Sequence, residues 1–286
     1  MVRIKTILKV IYGEFSRRFS IYNNWLLGKR YNVSFLELNK VFFGAPLLFK
    51  ALKKVRITKE KYENLIIHFK NIRDPLYFPR EMKRQSLYQV ITESFYPDNW
   101  HYYNKEGTTV GKDDTVIDCG AAEGLFSLLI AKNCKKVYVI EPLPRFIEVL
   151  KLTFKGFYNV EIIPFALSDK VGKTHIISNN ISSSLTRLGR GKAITVTTID
   201  KLFYEKKIPI SYIKVDIEGY EIKMLKGAYK TIKKNNPKIA ITTYHNKSHA
   251  LWISRYLKKI NPQYFIKLKG IDHKYGTSIM LHAWVE

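Results

Sequence analysis

The sequence predicts an α/β fold: a seven-stranded, mostly parallel sheet with helices on both faces, preceded by an N-terminal helical segment. Three observations predict it. From about Thr115 onward, short β-branched runs alternate with helical stretches, the pattern of strands buried on both faces by their crossover helices. The chain has 286 residues, 46% of them hydrophobic, which suffices for one α/β core with an appendage. Two of the apolar runs, "VIDCGAAEGLF" and "VYVIEPLP", each lead into an acid, Asp118 and Glu141, with a small-residue loop between them. That arrangement belongs to strand ends that face a ligand in an open sheet.

Taken in order, residues 1–95 read as an N-terminal helical cap. "FLELNKVFFGAPLLFKALKKV" has apolar residues at mixed spacing of three and four, broken at Gly44-Ala45-Pro46. "TKEKYENLIIHFKNI" reads as a helix with Thr58 as its N-cap and Glu60 and Glu63 near the positive end. "REMKRQSLYQVITESF" reads as a further amphipathic helix. Residues 96–286 form the sheet domain, with strands at "TVIDC", "KVYVIEP", "VEIIPFAL", "YIKVDIE", "KIAITTY", "YFIKL" and "SIMLHAW". Two more runs, "KTHIIS" and "AITVTTI", predict a β-hairpin inserted near residues 174–200 at the sheet's edge.

The net charge is +25. It favours polyanionic partners, namely nucleic acid, anionic lipid, or charged sugar and phosphate substrates. The lysines are spread along the chain, so a simply solvated basic surface accounts for them equally well. Two cysteines, Cys119 and Cys134, give no disulfide framework and no metal-ligand spacing, which points to a reducing compartment. The basic start lacks the long apolar core and cleavage site of a signal peptide. No run reaches the roughly 20 apolar residues of a membrane span. The expected location is cytoplasmic, with peripheral contact at an anionic membrane left open.

The loop after Asp118 carries Gly120, Ala121, Ala122 and Gly124, small residues expected to let backbone turn tightly and approach a ligand. Glu141 is expected to accept hydrogen bonds from the two hydroxyls of a ribose. A pyrophosphate dinucleotide calls for G-x-G-x-x-G before a helix. Here the spacing is Gly120-x-x-x-Gly124, and Glu123 would repel a diphosphate. An acid before the loop suits a cationic amino group instead. S-adenosylmethionine, with a ribose and an amino acid portion, meets both demands.

With these motifs in place, the chain from about Thr115 to Trp284 resembles the FkbM family of S-adenosylmethionine-dependent methyltransferases. Six ordered blocks carry the resemblance: "DCGAAEGLFS", "IEPLPRFIEVL", "NVEIIPFALSDKVG", "VTTIDKL", "IKVDIEGYEIKMLKGA", and a proline followed by "YH". It implies a Rossmann-like class I methyltransferase fold. It also implies cofactor contacts from Asp118, Gly120, Ala121 and Gly124, a ribose contact from Glu141-Pro142, and an adenine neighbour in Ala166-Leu167. Thr198, Ile199 and Asp200 match a further block. Ala122 and Leu143 stand where many relatives have asparagine. The acceptor that the resemblance implies is a hydroxyl on a sugar, glycan, glycolipid or secondary metabolite.

"KVDIEGYE" places Asp216, Glu218 and Glu221 just past the fourth strand, where a transferred methyl group would meet its acceptor. Asp216 and Glu218 are the expected catalytic acids, able to hold the cofactor's amino group, an acceptor hydroxyl, or Mg²⁺. Glu221 reads as a first-turn acid complementing the helix dipole. Methyl transfer to an alcohol needs alignment and removal of a proton. His245, ending "IAITTYH", is the expected base. His249 reads as solvated, His282 as packed, and His101 has no context. "NNISSSL" is open between sugar contacts and a solvated turn. Two other functions stay in view: RNA methylation, from the basic charge, and non-catalytic membrane docking through "VFFGAPLLFKALKK".

Overall fold

The computed structural model describes residues 2–59, 64–179, 182–186 and 192–286. Three helices, α1 (Val2–Leu26), α2 (Phe35–Phe43) and α3 (Leu47–Leu52), open the chain. They lead into an antiparallel sheet of β1 (Val55–Lys59), β2 (Asn64–Phe69) and β3 (Ile72–Pro79), and then α4 (Arg84–Phe95). The main sheet begins with β4 (Thr115–Cys119), α5 (Leu125–Ile130), β5 (Lys136–Ile140), α6 (Pro144–Thr153) and β6 (Val160–Ile163). A smaller sheet interrupts it with β7 (Ala166–Leu167), β8 (Gly172–Asn179), β9 (Ser182–Thr186) and β10 (Lys192–Thr197). The main sheet resumes with β11 (Tyr212–Val215), α7 (Glu221–Lys226), α8 (Tyr229–Asn235), β12 (Lys238–Thr242), α9 (His249–Ile260), β13 (Phe265–Lys269) and β14 (Met280–Trp284).

Its seven strands run in the order β13-β14-β12-β11-β4-β5-β6. The five from β6 to β12 are parallel, while β14 and β13 pair antiparallel. The strand order reverses at β4, whose two neighbours are β5 and β11, so a ligand crevice is expected at its carboxyl end. Alternation along the strands supplies two cores. Val116, Val137 and Val139 face α5 and α6, whereas Ile117, Cys119, Ile140, Ile213 and Val215 face the side of α7, α8 and α9. Both faces are therefore dry, which is why these strands are continuous apolar runs in the sequence.

Two expectations are corrected. The helix expected from Thr58 is instead a pair of strands: Thr58 lies in β1 opposite Ile66 of β2. In β2, Leu65, Ile67 and Phe69 are buried while His68 is exposed. The period-two alternation of "LIIHF" lets that face pack on Leu76, Phe78 and the Leu87–Ile91 side of α4, and this burial outweighs the helix-like charged start. Glu60 and Glu63 lie outside the described residues. Second, "VEIIPFAL" is not one strand. It breaks at Pro164, which has no N–H for the ladder, and Ala166–Leu167 crosses to pair with β10. The expected edge hairpin is a separate four-stranded sheet in the order β7-β10-β8-β9, and part of its supposed connection, "SSSLT", is itself a strand. Asn180 and Ile181, within the segment considered for sugar contacts, lie outside the described residues.

Candidate active site

A cleft of about 500 Å³ opens at the carboxyl ends of β4, β5 and β11, within the size range of small-ligand sites. Gly120, Ala121, Glu141, Pro142, Ala166, Leu167, Asp216 and Glu218 line it. The inner side of α4 closes another wall with Ser86, Gln89, Val90 and Glu93. Asp118, Gly124 and His245 are not on this lining.

Glu141 is buried, and its two oxygens accept from Leu143 N (2.9 Å) and Ala122 N (3.0 Å). The carboxylate thus pins the loop after β4 to the turn after β5, with further lone pairs left for a ligand. Burial pushes its pKa up to about 7, against the help of those two N–H groups. Glu123 is likewise raised to about 7 by burial, and its Oε2 has no hydrogen-bond partner among the described residues.

Asp118 does not reach the cleft. It has no exposed surface; its Oδ1 lies 2.9 Å from Lys214 Nζ, and its Oδ2 accepts from Ser127 Oγ at 2.7 Å. The two residues are cross-strand neighbours on one face of the sheet. Lys214 Nζ also donates to Gly120 O at 2.8 Å. The expected direct grip of Asp118 on an amino group is therefore corrected to an indirect one: it anchors the lysine that holds the loop. The glycines turn the backbone as expected, Gly120 on the cleft lining and Gly124 off it, and packing adds a second demand on both. A side chain on Gly120 would collide with the Asp216 carbonyl, and one on Gly124 with Leu150 and Phe154. Both have positive φ, +73° and +87°, so close packing and backbone conformation require glycine at each.

The far end of the cleft holds a histidine–carboxylate cluster. Asp216 accepts from Tyr103 OH at 2.8 Å and lies 3.6 Å from His101 Nε2 and 3.8 Å from His245 Nε2. His245 Nδ1 is 2.9 Å from Glu221, and its Nε2 is 3.4 Å from Glu218. Burial opposes charge on this imidazole, but hydrogen bonds to Glu218 and Glu221 and the charge of Asp216 outweigh it and raise its pKa to about 11. A pKa raised this far favours the imidazolium form of His245, which speaks against the expected role of base. Asp216 is lowered: burial raises it, and the charges of His101, His245 and Lys214 prevail.

Glu221 is the residue whose weight the sequence did not reveal. It is fully buried, accepts from Ile217 N and Gly219 N, and holds His245. It fixes the strained turn in which Glu218 has φ +53°. His101 and Tyr103, from the segment before β4, were also missed; His101 bonds Glu93 of α4 at 2.9 Å. His249, expected in solvent, is buried 3.3 Å from Glu221. His282 is packed as expected, with Nδ1 2.7 Å from Thr108 Oγ1. Asp200 accepts from Lys230 N, Thr231 N and Thr231 Oγ1, so it caps α8 from a distance.

Asp216, Glu221 and His245 stand close enough to share a metal ion. The chemistry of the set does not suit Mg²⁺, which takes oxygen ligands and keeps several waters. Only two of the three residues offer oxygen, and Glu221 Oε1 already accepts from the Ile217 and Gly219 N–H groups beside His245 Nδ1. The features of a sulfonium nucleoside fit better: a buried acid just past β5, an apolar wall at Ala166–Leu167, and acids beyond β11.

An open α/β sheet with a polar cleft at its switch point defines the class, a Rossmann-like ligand-binding domain. Residues 118–261 match the methyltransferase FkbM domain family, and the chain belongs to that family. It is 43% identical over 56 residues to an uncharacterized protein of Methanocaldococcus jannaschii, covering 19% of this chain and 22% of that one. It is 29% identical over 114 residues to ribosomal RNA small subunit methyltransferase A of Alkaliphilus metalliredigens, covering 40% and 39%. The chain thus spans well under half the length of these curated relatives. The crystal structure of methyltransferase FkbM from Methylobacillus flagellatus KT superposes with a TM-score of 0.48 at 23% identity, covering 70% of this chain and 54% of that one.

Proposed function

We propose that this protein binds S-adenosylmethionine in the cleft and methylates a hydroxyl of a sugar, glycan, glycolipid or related small molecule. The observation that carries this reading is the placing of Glu141 and the Asp216–Glu218 pair in one cleft on either side of the β4 switch point. When bound, the cofactor supplies a methyl group already activated by its positive sulfur. The chain's residues bind and align. Glu141 takes the ribose hydroxyls, Ala166 and Leu167 flank the adenine, and the β4 loop offers backbone to the amino acid portion. Glu218 faces the cleft and receives the acceptor's proton, while imidazolium His245, fixed by Glu221, holds Glu218 in place. Family membership supports the hydroxyl acceptor.

A second reading, RNA methylation, has support from the +25 charge and from the printed function of the Alkaliphilus relative. Methyl transfer to a panel of glycans and to RNA, in parent and Glu218→Gln, separates the two. The expected result is transfer to a glycan hydroxyl, with kcat reduced about 10²-fold or more in the variant. Transfer to RNA alone, or unchanged turnover in Glu218→Gln, sinks the respective half of the proposal.

A further inference from the structure

The N-terminal helices present an apolar face that nothing among the described residues covers. On α1, Phe15, Phe19 and Leu26 are exposed; spacings of four and seven put them on one stripe. The adjoining side of that helix, with Ile21, Tyr22 and Trp25, packs on Val33, Leu38, Trp100 and Ile271. On α2, Phe35, Leu36 and Phe43 are exposed, Phe43 at 78%. A roll of large exposed side chains this dense marks an interaction surface.

The face is held rigidly to the body. Ser20 donates to His273 O, Asn32 to Leu268 O, and Lys269 to Asn32 O and Glu37. Arg18 caps α2 through Phe42 O and Gly44 O, both at 2.8 Å. Around it stand exposed cations: Arg17, Lys29, Arg30, Lys40 and Lys53. Residues 1–56 contain twelve Lys or Arg against two Glu, a net charge of +10.

We propose that this face docks on an anionic lipid bilayer, with its phenylalanines and leucines in the interface and its cations on the headgroups. Charge selects this occupant. Pairing two copies through the face would bring two +10 segments together, whereas an anionic leaflet attracts each lysine and arginine near its surface. No helix among the described residues is long and apolar enough to cross a membrane, so the contact is interfacial. α3 packs on α4, whose inner side lines the cleft; docking sets the cleft one helix away from the lipid-facing layer. The inference stands independently of the methyl-transfer reading.

The test is sedimentation of the full chain with vesicles of phosphatidylcholine alone or phosphatidylcholine with phosphatidylserine, at low and high salt. Two variants are run beside it, Phe35→Ser with Phe43→Ser, and Lys40→Glu with Lys53→Glu. Melting temperature and binding of S-adenosylmethionine are measured on each. The expected result is binding to the anionic vesicles at least about tenfold tighter than to neutral ones, weakened by salt. Each variant is expected to lose about tenfold or more while melting and cofactor binding stay at parent values; either variant alone suffices should the other fail to fold. Absence of binding to anionic vesicles, or binding that both variants retain, overturns the proposal. So does a dimer in sedimentation velocity that the serine variant abolishes, which would make a second copy the occupant.

Discussion

At the scale of single residues, the cleft rests on a few groups whose freedom is already spent. Gly120 has backbone of the next strand against its α-carbon and a positive φ, so any side chain must push β4 and β11 apart. Gly120→Ala is expected to lower stability by about 2 kcal/mol or more and to weaken cofactor binding; a melting temperature equal to the parent's would refute the packing role given to it. Lys214 is the only cation within bonding distance of buried Asp118 among the described ion pairs. Lys214→Met leaves that buried carboxyl without its cation, at a cost of about 3–5 kcal/mol. In the double variant Asp118→Leu with Lys214→Met, most of this is expected to return, because two apolar groups then replace the pair. Urea denaturation of the two proteins reads the difference, and equal losses in both would show that the ion pair does not act as a unit.

At the scale of elements, α4 and the loop after β11 wall the end of the cleft where the proposed acceptor would sit. Ile91 is fully buried on the sheet side of α4, and the same helix supplies Glu93 to His101 and one wall of the cleft. Ile91→Ala is expected to destabilise the fold by about 2–5 kcal/mol and to raise KM for the acceptor, since the wall is then less firmly held. Unchanged KM in a folded variant would separate α4 from the acceptor. Elements also show why some of this was legible beforehand and some was not. The strands β4, β5, β11 and β12 are buried on both faces, so their apolar runs and terminal acids stand out in the sequence. β1 and β2 were misread because a charged, helix-compatible start precedes "LIIHF", and only the tertiary packing on α4 favours the strand. That Glu141, Asp216 and Glu218 line the cleft was legible because they sit at fixed offsets from legible strands. His101, Tyr103 and Lys214 were not, because loop geometry or cross-strand register brings them in, and neither leaves a local pattern. Asp118 was found and given the wrong partner, since register with Lys214 is invisible without the strand order.

At the scale of the whole molecule, buried titratable groups tie stability and binding to pH. His245 has a folded pKa raised from 6.5 to about 11. Its contribution is fully present below about 6.5 and is lost as pH rises toward 11, because the folded chain keeps a proton that the unfolded chain has released. Stability measured by denaturant is expected to decline with rising pH across that window, with a shallower decline in His245→Gln; identical slopes would contradict the ion-pair cluster. The central claim of the proposed function is that Glu141, just past β5, grips the ribose of S-adenosylmethionine. With the Glu141 pKa near 7, the ionised, hydrogen-bond-accepting form grows as pH rises through neutrality. The most direct test is calorimetric titration of the protein with S-adenosylmethionine, comparing parent and Glu141→Ala. The account predicts saturable binding by the parent, with an affinity at least about tenfold lower in the variant, about 1.4 kcal/mol. Equal affinities in the two proteins, or no binding by the parent, would contradict it.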